Sequence, residues 1–156
     1  MKVILQLLGN NILIASIISS LVAQGLKVIL FYLIEKEWNW KMFISTGGNP
    51  SSHTATATTL TVLLGAKYGF DSPYFTIAFI FSSIVIVDAI SVRREVGKHA
   101  KTMNDIFFET PLGKRLQETV DIEVFKELIG HSGPEVFIGF LLGVFIAVID
   151  IVFFFK

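Results

Sequence analysis

Apolar and polar residues fall along this chain in long blocks rather than in short alternations. Residues 12–34 are apolar, interrupted only by small residues, Gln24 and Lys27, and are long enough to cross a hydrocarbon layer of roughly 30 Å. Residues 35–46 are polar and carry Trp38 and Trp40, which favour the membrane–water interface. From 53 to 70 the chain is rich in Thr and Ala and ends at Gly69-Phe70-Asp71-Ser72-Pro73. Small residues and hydroxyls suit contact between helices better than contact with lipid, so this block reads as a short span inside a bundle. Residues 74–92 are strongly apolar and end in Asp88-Ala89-Ile90-Ser91-Val92-Arg93-Arg94, and residues 134–155 are apolar again. The pattern predicts an all-α polytopic membrane helix bundle of about four transmembrane spans, near 12–34, 53–70, 74–92 and 134–155, forming one domain over 1–156.

Between the third and fourth spans lies a long polar piece. Its periodic apolar positions, Met103, Ile106 and Phe107, then Leu116, Val120, Val124, Phe125 and Leu128, predict one or two amphipathic helices over 95–130. These break at Thr110-Pro111-Leu112-Gly113 and are expected to lie on the membrane surface. In the last span Gly139 and Gly143, with Ala147 one turn on, form a small-residue stripe. Such a stripe admits another helix closely, within the chain or in a homo-oligomer.

Composition agrees with the block pattern. Of 156 residues 53% are hydrophobic and the mean hydropathy is +0.67, far above soluble proteins. The formal net charge is zero, so nothing in the total points to a nucleic-acid partner, and none is expected. With no cysteine, disulfides, thiolate metal sites and a cysteine nucleophile are excluded. The first apolar run continues to Ile34 without a small-residue cleavage site, unlike a secretory signal. With four spans, Lys36, Lys41, Arg93, Arg94, Lys98, Lys101, Lys114, Arg115 and Lys126 fall on one side, against Lys2, Lys67 and Lys156 on the other. The positive-inside rule makes the first side cytoplasmic.

Two polar helix starts would meet on that side. In Gly47-Gly48-Asn49-Pro50-Ser51-Ser52-His53, Asn49 reads as the cap and Pro50 as the first helical residue. The N–H groups of Ser51, Ser52 and His53 would then lack partners within the helix and favour an anion. In Gly130-His131-Ser132-Gly133-Pro134-Glu135, Ser132 or Gly133 can cap a helix from Pro134. His131 and Glu135 are four apart, so the carboxylate can hold the imidazole in one tautomer, in a structural pair or in the orienting role found beside catalytic histidines. Lys27, inside the first span, either snorkels to the interface or faces a counter-ion within the bundle. Asp88 reads as a structural partner of Lys27 or Arg93, and His99 as solvated. A divalent-metal site built from His53, His131 and Asp88 is a minor alternative.

At these residues the chain resembles the type 2 phosphatidic acid phosphatase superfamily, related to vanadium haloperoxidases, and above all its small divergent bacterial branch. The superfamily's three motifs are K-x6-R-P, P-S-G-H and S-R-x5-H-x3-D. Pro50-Ser51-Ser52-His53 is similar to the second, with Ser52 in place of glycine, and His131-x3-Glu135 to the third, with glutamate in place of aspartate. The first motif has only a lysine candidate, Lys27, since Ile34 stands seven positions on; six before His131 stands Phe125, with Lys126 beside it. The divergent branch is similar at Ala23-Gln24-Gly25-Leu26-Lys27, at the glycine turn, at Asp88 to Arg94, and at Lys126-Glu127-Leu128-Ile129-Gly130-His131.

The resemblance implies that His131 attacks phosphorus to form a phosphohistidine, that Glu135 orients it, and that His53 protonates the leaving alkoxide and later activates water. Ser51 and Ser52 would bind phosphate oxygens, and Lys27, Arg93, Arg94 and Lys126 would supply positive charge. No metal or other cofactor is implied. The expected partner is a membrane lipid phosphate, either phospholipid or polyprenyl, and the expected place is a bacterial cytoplasmic membrane with the active face toward the cytoplasm. The alternative is a lipid-phosphate binder or transporter that kept the anion site without turnover.

Overall fold

The computed structural model describes residues 2–127 and 130–155, and the described residues are helical or irregular. A short helix, α1 (Lys2–Leu8), precedes α2 (Asn11–Glu35), and Asn10 separates them by accepting the Leu13 N–H on its side chain at 3.2 Å. A single 3-10 turn, Trp40–Ile44, leads toward the glycine turn and α3 (Ser52–Tyr68). Ser72 caps α4 (Pro73–Ile90), with Pro73 at its start, and the chain continues past Ser91 into α5 (Val92–Asn104). After a π-helical turn, Asp105–Glu109, come α6 (Pro111–Gln117) and finally α7 (Gly133–Phe154).

Three of these runs are long and apolar enough to cross a membrane: α2, the run Pro73–Glu109 that opens with α4, and α7. The chain is a helical membrane bundle. At its centre is α3, whose 17 residues span only about 26 Å at 1.5 Å each. It packs against α2, α4 and α7 at once and buries Thr54, Ala55, Ala57, Thr58, Thr59, Thr61, Leu63 and Gly65. Thr and Ala are what such a position needs, since bulky side chains would hold three neighbours apart.

Hydroxyls knit this centre. The Thr59 hydroxyl lies 3.0 Å from that of Ser19, 2.9 Å from the Ala55 carbonyl and 3.0 Å from the Gly143 carbonyl, joining three helices through one group. Thr61 and Ser82 hydroxyls meet at 2.8 Å, and Ser82 donates to the Ala57 carbonyl at 3.1 Å. With no water in a bilayer core, each such bond satisfies a group that would otherwise be costly. These pairings also set direction: α3 and α7 run one way, α2 and α4 the other. The starts of α3 and α7 therefore share one end of the bundle with the ends of α2 and α4.

The Gly139 and Gly143 stripe packs within the chain: a Cβ at either glycine would lie 2.5 Å from a backbone carbonyl at the start of α3, that of Ser51 or of Ala55. One expectation is corrected here. The surface segment is helical only as far as Gln117; residues 121–127 are irregular, and Leu128 and Ile129 lie outside the described residues. The break does fall at Thr110, which caps α6 through the Gly113 N–H. Beyond it, Asn104 holds the irregular stretch by its amide. Its Nδ2 donates to the Phe125 carbonyl and its Oδ1 accepts the Phe125 N–H, both at 2.9 Å. That two-point grip takes backbone groups that a helix would have used internally.

Candidate active site

The site is assembled by tying two loops to helices already in place. Lys27 is 1% exposed, and its ammonium donates to the Ser45 carbonyl at 3.1 Å while its stem runs beside Gly48. Gly48 has φ +89°, a left-handed conformation natural to glycine, and turns the chain toward α3. The predicted cap moves by two residues. Ser51 caps α3, with its Oγ accepting from the Thr54 N–H at 3.3 Å and from the Thr54 hydroxyl at 3.0 Å. Pro50 precedes the helix, because the Ser51 N–H is drawn to the Glu135 carbonyl of α7 at 3.0 Å, outside any helical pattern. Ser52 and His53 then carry the free leading N–H groups of α3.

The second loop is fixed as firmly. The His131 N–H donates to the Ala89 carbonyl at the end of α4, 2.9 Å away. Gly130, at φ +92°, passes so close to α5 that a Cβ there would stand 2.4 Å from the Arg94 nitrogen. His131 is delivered to a place where it is 1% exposed, and its Nδ1 meets the Glu135 carboxylate at 2.9 Å. A carboxylate accepts, so Nδ1 carries a proton, and in the neutral ring Nε2 keeps its lone pair. Among the described residues that Nε2 has no hydrogen-bond partner, and neither does the buried Nδ1 of His53.

The two imidazoles lie edge to face with centroids 5.9 Å apart and planes at 64°. This distance places both rings within hydrogen-bonding reach of a single group of phosphoryl size. Arg93 is engaged, its Nε donating to Asp88 at 2.6 Å. Arg94 is exposed, and its backbone serves as the wall against Gly130. Lys126 is exposed on the irregular stretch held by Asn104. Of the expected cations, Lys27 is buried against Ser45, which lines the same cleft as His53, and Arg93 is paired with Asp88; Arg94 and Lys126 stand at the surface, and Ser51 has become a cap. Among the described residues no three His, Asp or Glu side chains are grouped as metal ligands, and Asp88 belongs to Arg93.

Beside His53 a cleft of about 410 Å³ opens between α2, α3 and α4. Leu60, Phe81 and Val85 give it apolar walls, and Phe81 is largely exposed on the outer face of the bundle. Its polar lining includes Gln24, Ser45, Ser52 and Thr56. Gln24 was absent from the sequence-based site, although a lone amide in an apolar span, three residues before a buried lysine, is itself a signal. Asn49 was read only as a cap, and its side-chain oxygen is buried without a partner among the described residues.

A family model described as "Divergent PAP2 family" matches residues 8–146. The chain belongs to the divergent PAP2 family. It is 32% identical over 159 residues to YuiD of Bacillus subtilis (strain 168), described as an uncharacterized membrane protein, a match covering 96% of this chain and 99% of YuiD. No solved structure matches the chain. Every residue brought to the two histidines lies within the part matched by the divergent PAP2 model.

Proposed function

We propose that this member of the divergent PAP2 family is a metal-independent phosphatase of membrane lipid monophosphates working through a phosphohistidine. The supporting observation is the pair of imidazoles 5.9 Å apart, one held by Glu135, with an unpartnered nitrogen on each. The lone pair of His131 Nε2 attacks phosphorus, the P–O ester bond breaks, and protonated His53 gives its proton to the departing alkoxide. Water then attacks the phosphohistidine, His53 takes a proton from it, and phosphate leaves with His131 restored. Glu135 stabilises the imidazolium side of His131 as charge develops. The N–H groups of Ser52 and His53, with Lys27 and Arg93, face the charge of the phosphoryl group. The 410 Å³ cleft with its exposed Phe81 edge takes the lipid part of the ester from the bilayer side. By the distribution of Lys and Arg the active face is cytoplasmic, in a bacterial cytoplasmic membrane.

Purified protein given lipid monophosphate labelled in its phosphorus is expected to trap acid-labile label on His131. Vanadate should block phosphate release, and a strong chelator should leave it unchanged. Absence of labelled histidine during active turnover would overturn the mechanism. A second role, binding lipid phosphate without turnover, is favoured by the engagement of Lys27 with Ser45 and of Ser51 with Thr54, which leaves fewer ligands for a transferring phosphoryl group. It predicts lipid-phosphate binding with neither phosphate release nor label on His131.

A further inference from the structure

Gln24 is the one amide in the cleft beside His53, and its Oε1 is buried without a partner among the described residues. It sits at a helix face looking into a membrane-level cleft, where an unmet amide oxygen is costly and water is scarce. The same cleft carries the Ser45 and Thr56 side chains; the Thr56 hydroxyl is committed to the Ser52 carbonyl at 2.8 Å and that of Ser45 lies 3.3 Å from the Gly47 carbonyl, so both have local partners. Ser20, Thr46 and Ser52 add further hydroxyls to the lining, but of all its polar side-chain atoms only the Gln24 amide oxygen and His53 Nδ1 are buried without a partner among the described residues. We infer that Gln24 selects lipid monophosphates whose alcohol bears a free hydroxyl close to the phosphate ester, over those whose alcohol is hydrocarbon alone.

The inference rests on the phosphate site proposed above and concerns which alcohol that site accepts. The steps follow from position. His53 faces the leaving oxygen, so the carbons attached to that oxygen lie in the cleft His53 lines. Gln24 borders the same cleft, and a hydroxyl on the neighbouring carbon both donates and accepts, matching an amide whichever way it is turned. Beyond that point the walls are Leu60, Phe81 and Val85, which suit an acyl chain. A plain alkyl or polyprenyl phosphate fills the apolar part and leaves the amide unpaired. Sites built to bond a hydroxyl discriminate against the analogue lacking it because a buried polar group is then orphaned.

The test pairs 1-oleoylglycerol 3-phosphate, whose free hydroxyl adjoins the ester carbon, with octadecenyl phosphate, which has none. Phosphate release is measured for both, and affinity for the two matching phosphonates, which cannot be hydrolysed, in wild type and in Gln24→Met, a change that keeps length and removes the amide. Wild type is expected to favour the hydroxylated probe at least ~10-fold in both measurements. Gln24→Met should erase the preference by lowering rate and affinity for the hydroxylated probe without lowering either for the plain alkyl probe, and an unchanged unfolding midpoint in detergent certifies the fold. A preference for the hydroxylated phosphonate that Gln24→Met erases, with no phosphate released from either ester, would uphold the role of Gln24 and sink the phosphatase. Equal turnover of both esters by wild type would do the reverse. A preference that survives in Gln24→Met, a parallel loss on both probes, or no affinity for either phosphonate would overturn the inference.

Discussion

The two ends of α3 are made by opposite means. At its start, Ser51, Ser52, Lys27 and His131 are buried polar groups, with Ser51 bonded to α7, His131 to α4 and Lys27 to Ser45 ahead of the glycine turn. Toward its far end Leu63 packs with Ile12, Ala15 and Ala147 in an apolar cluster, with Ile151 and Phe155 against it. The histidine end accepts the cost of burying imidazoles with unpartnered nitrogens, while the far end makes dry contacts of low cost. Helix packing at one end thus supports a rigid polar constellation at the other, and α3 is the element common to both. The exception sharpens the rule: Asp150, in the far half of α7, is 8% exposed with one carboxylate oxygen unpartnered among the described residues.

The division is open to attack from either end. His131→Ala should lower phosphate release at least about 10³-fold, because it removes the attacking nitrogen, and should also lower the unfolding midpoint in detergent, because it empties a fully buried site and unpairs Glu135. Glu135→Gln should lower kcat by about 10²-fold with KM nearly constant, since it withdraws charge from the imidazole as it becomes cationic and leaves the phosphate ligands in place. Leu63→Ala should act the other way, costing about 2 kcal/mol of stability in a denaturant titration and leaving kcat within a factor of about two. Smallest of all, Asp150→Asn should leave activity within about twofold and should not lower the unfolding midpoint, because it removes a buried carboxyl that has no partner to lose. A large loss of activity in Leu63→Ala with stability intact, or the converse in His131→Ala, would dissolve the distinction.

The block pattern of the chain made the helices legible, because membrane hydropathy and small-residue composition act over whole segments. Local chemistry also read through: the break at Thr110-Pro111 and the i, i+4 reach from Glu135 to His131 both depend on near neighbours. Where distant segments compete for the same backbone groups, near-neighbour rules failed. Ser51 displaced Asn49 as the cap because a carbonyl of α7 claimed its N–H, and Asn104 took the backbone of Phe125 from a helix that periodicity favoured. The stripe of Gly139 and Gly143 announced a close contact without naming its partner, since a glycine face fits any helix and only the assembled bundle puts α3 there.

By itself, then, the order of residues determined that the chain is a membrane helix bundle carrying two histidine-bearing helix starts, since hydropathy, caps and i, i+4 spacing are properties of short stretches. That the rings of His53 and His131 lie edge to face, that Lys27 is buried against Ser45 and Arg93 pairs with Asp88 while Arg94 and Lys126 stay at the surface, and that Gln24 borders the cleft of His53 were decided only by tertiary structure. Those relations join residues dozens of positions apart, and they depend on how closely α2, α4 and α7 approach α3, a distance set by packing rather than by any local signal.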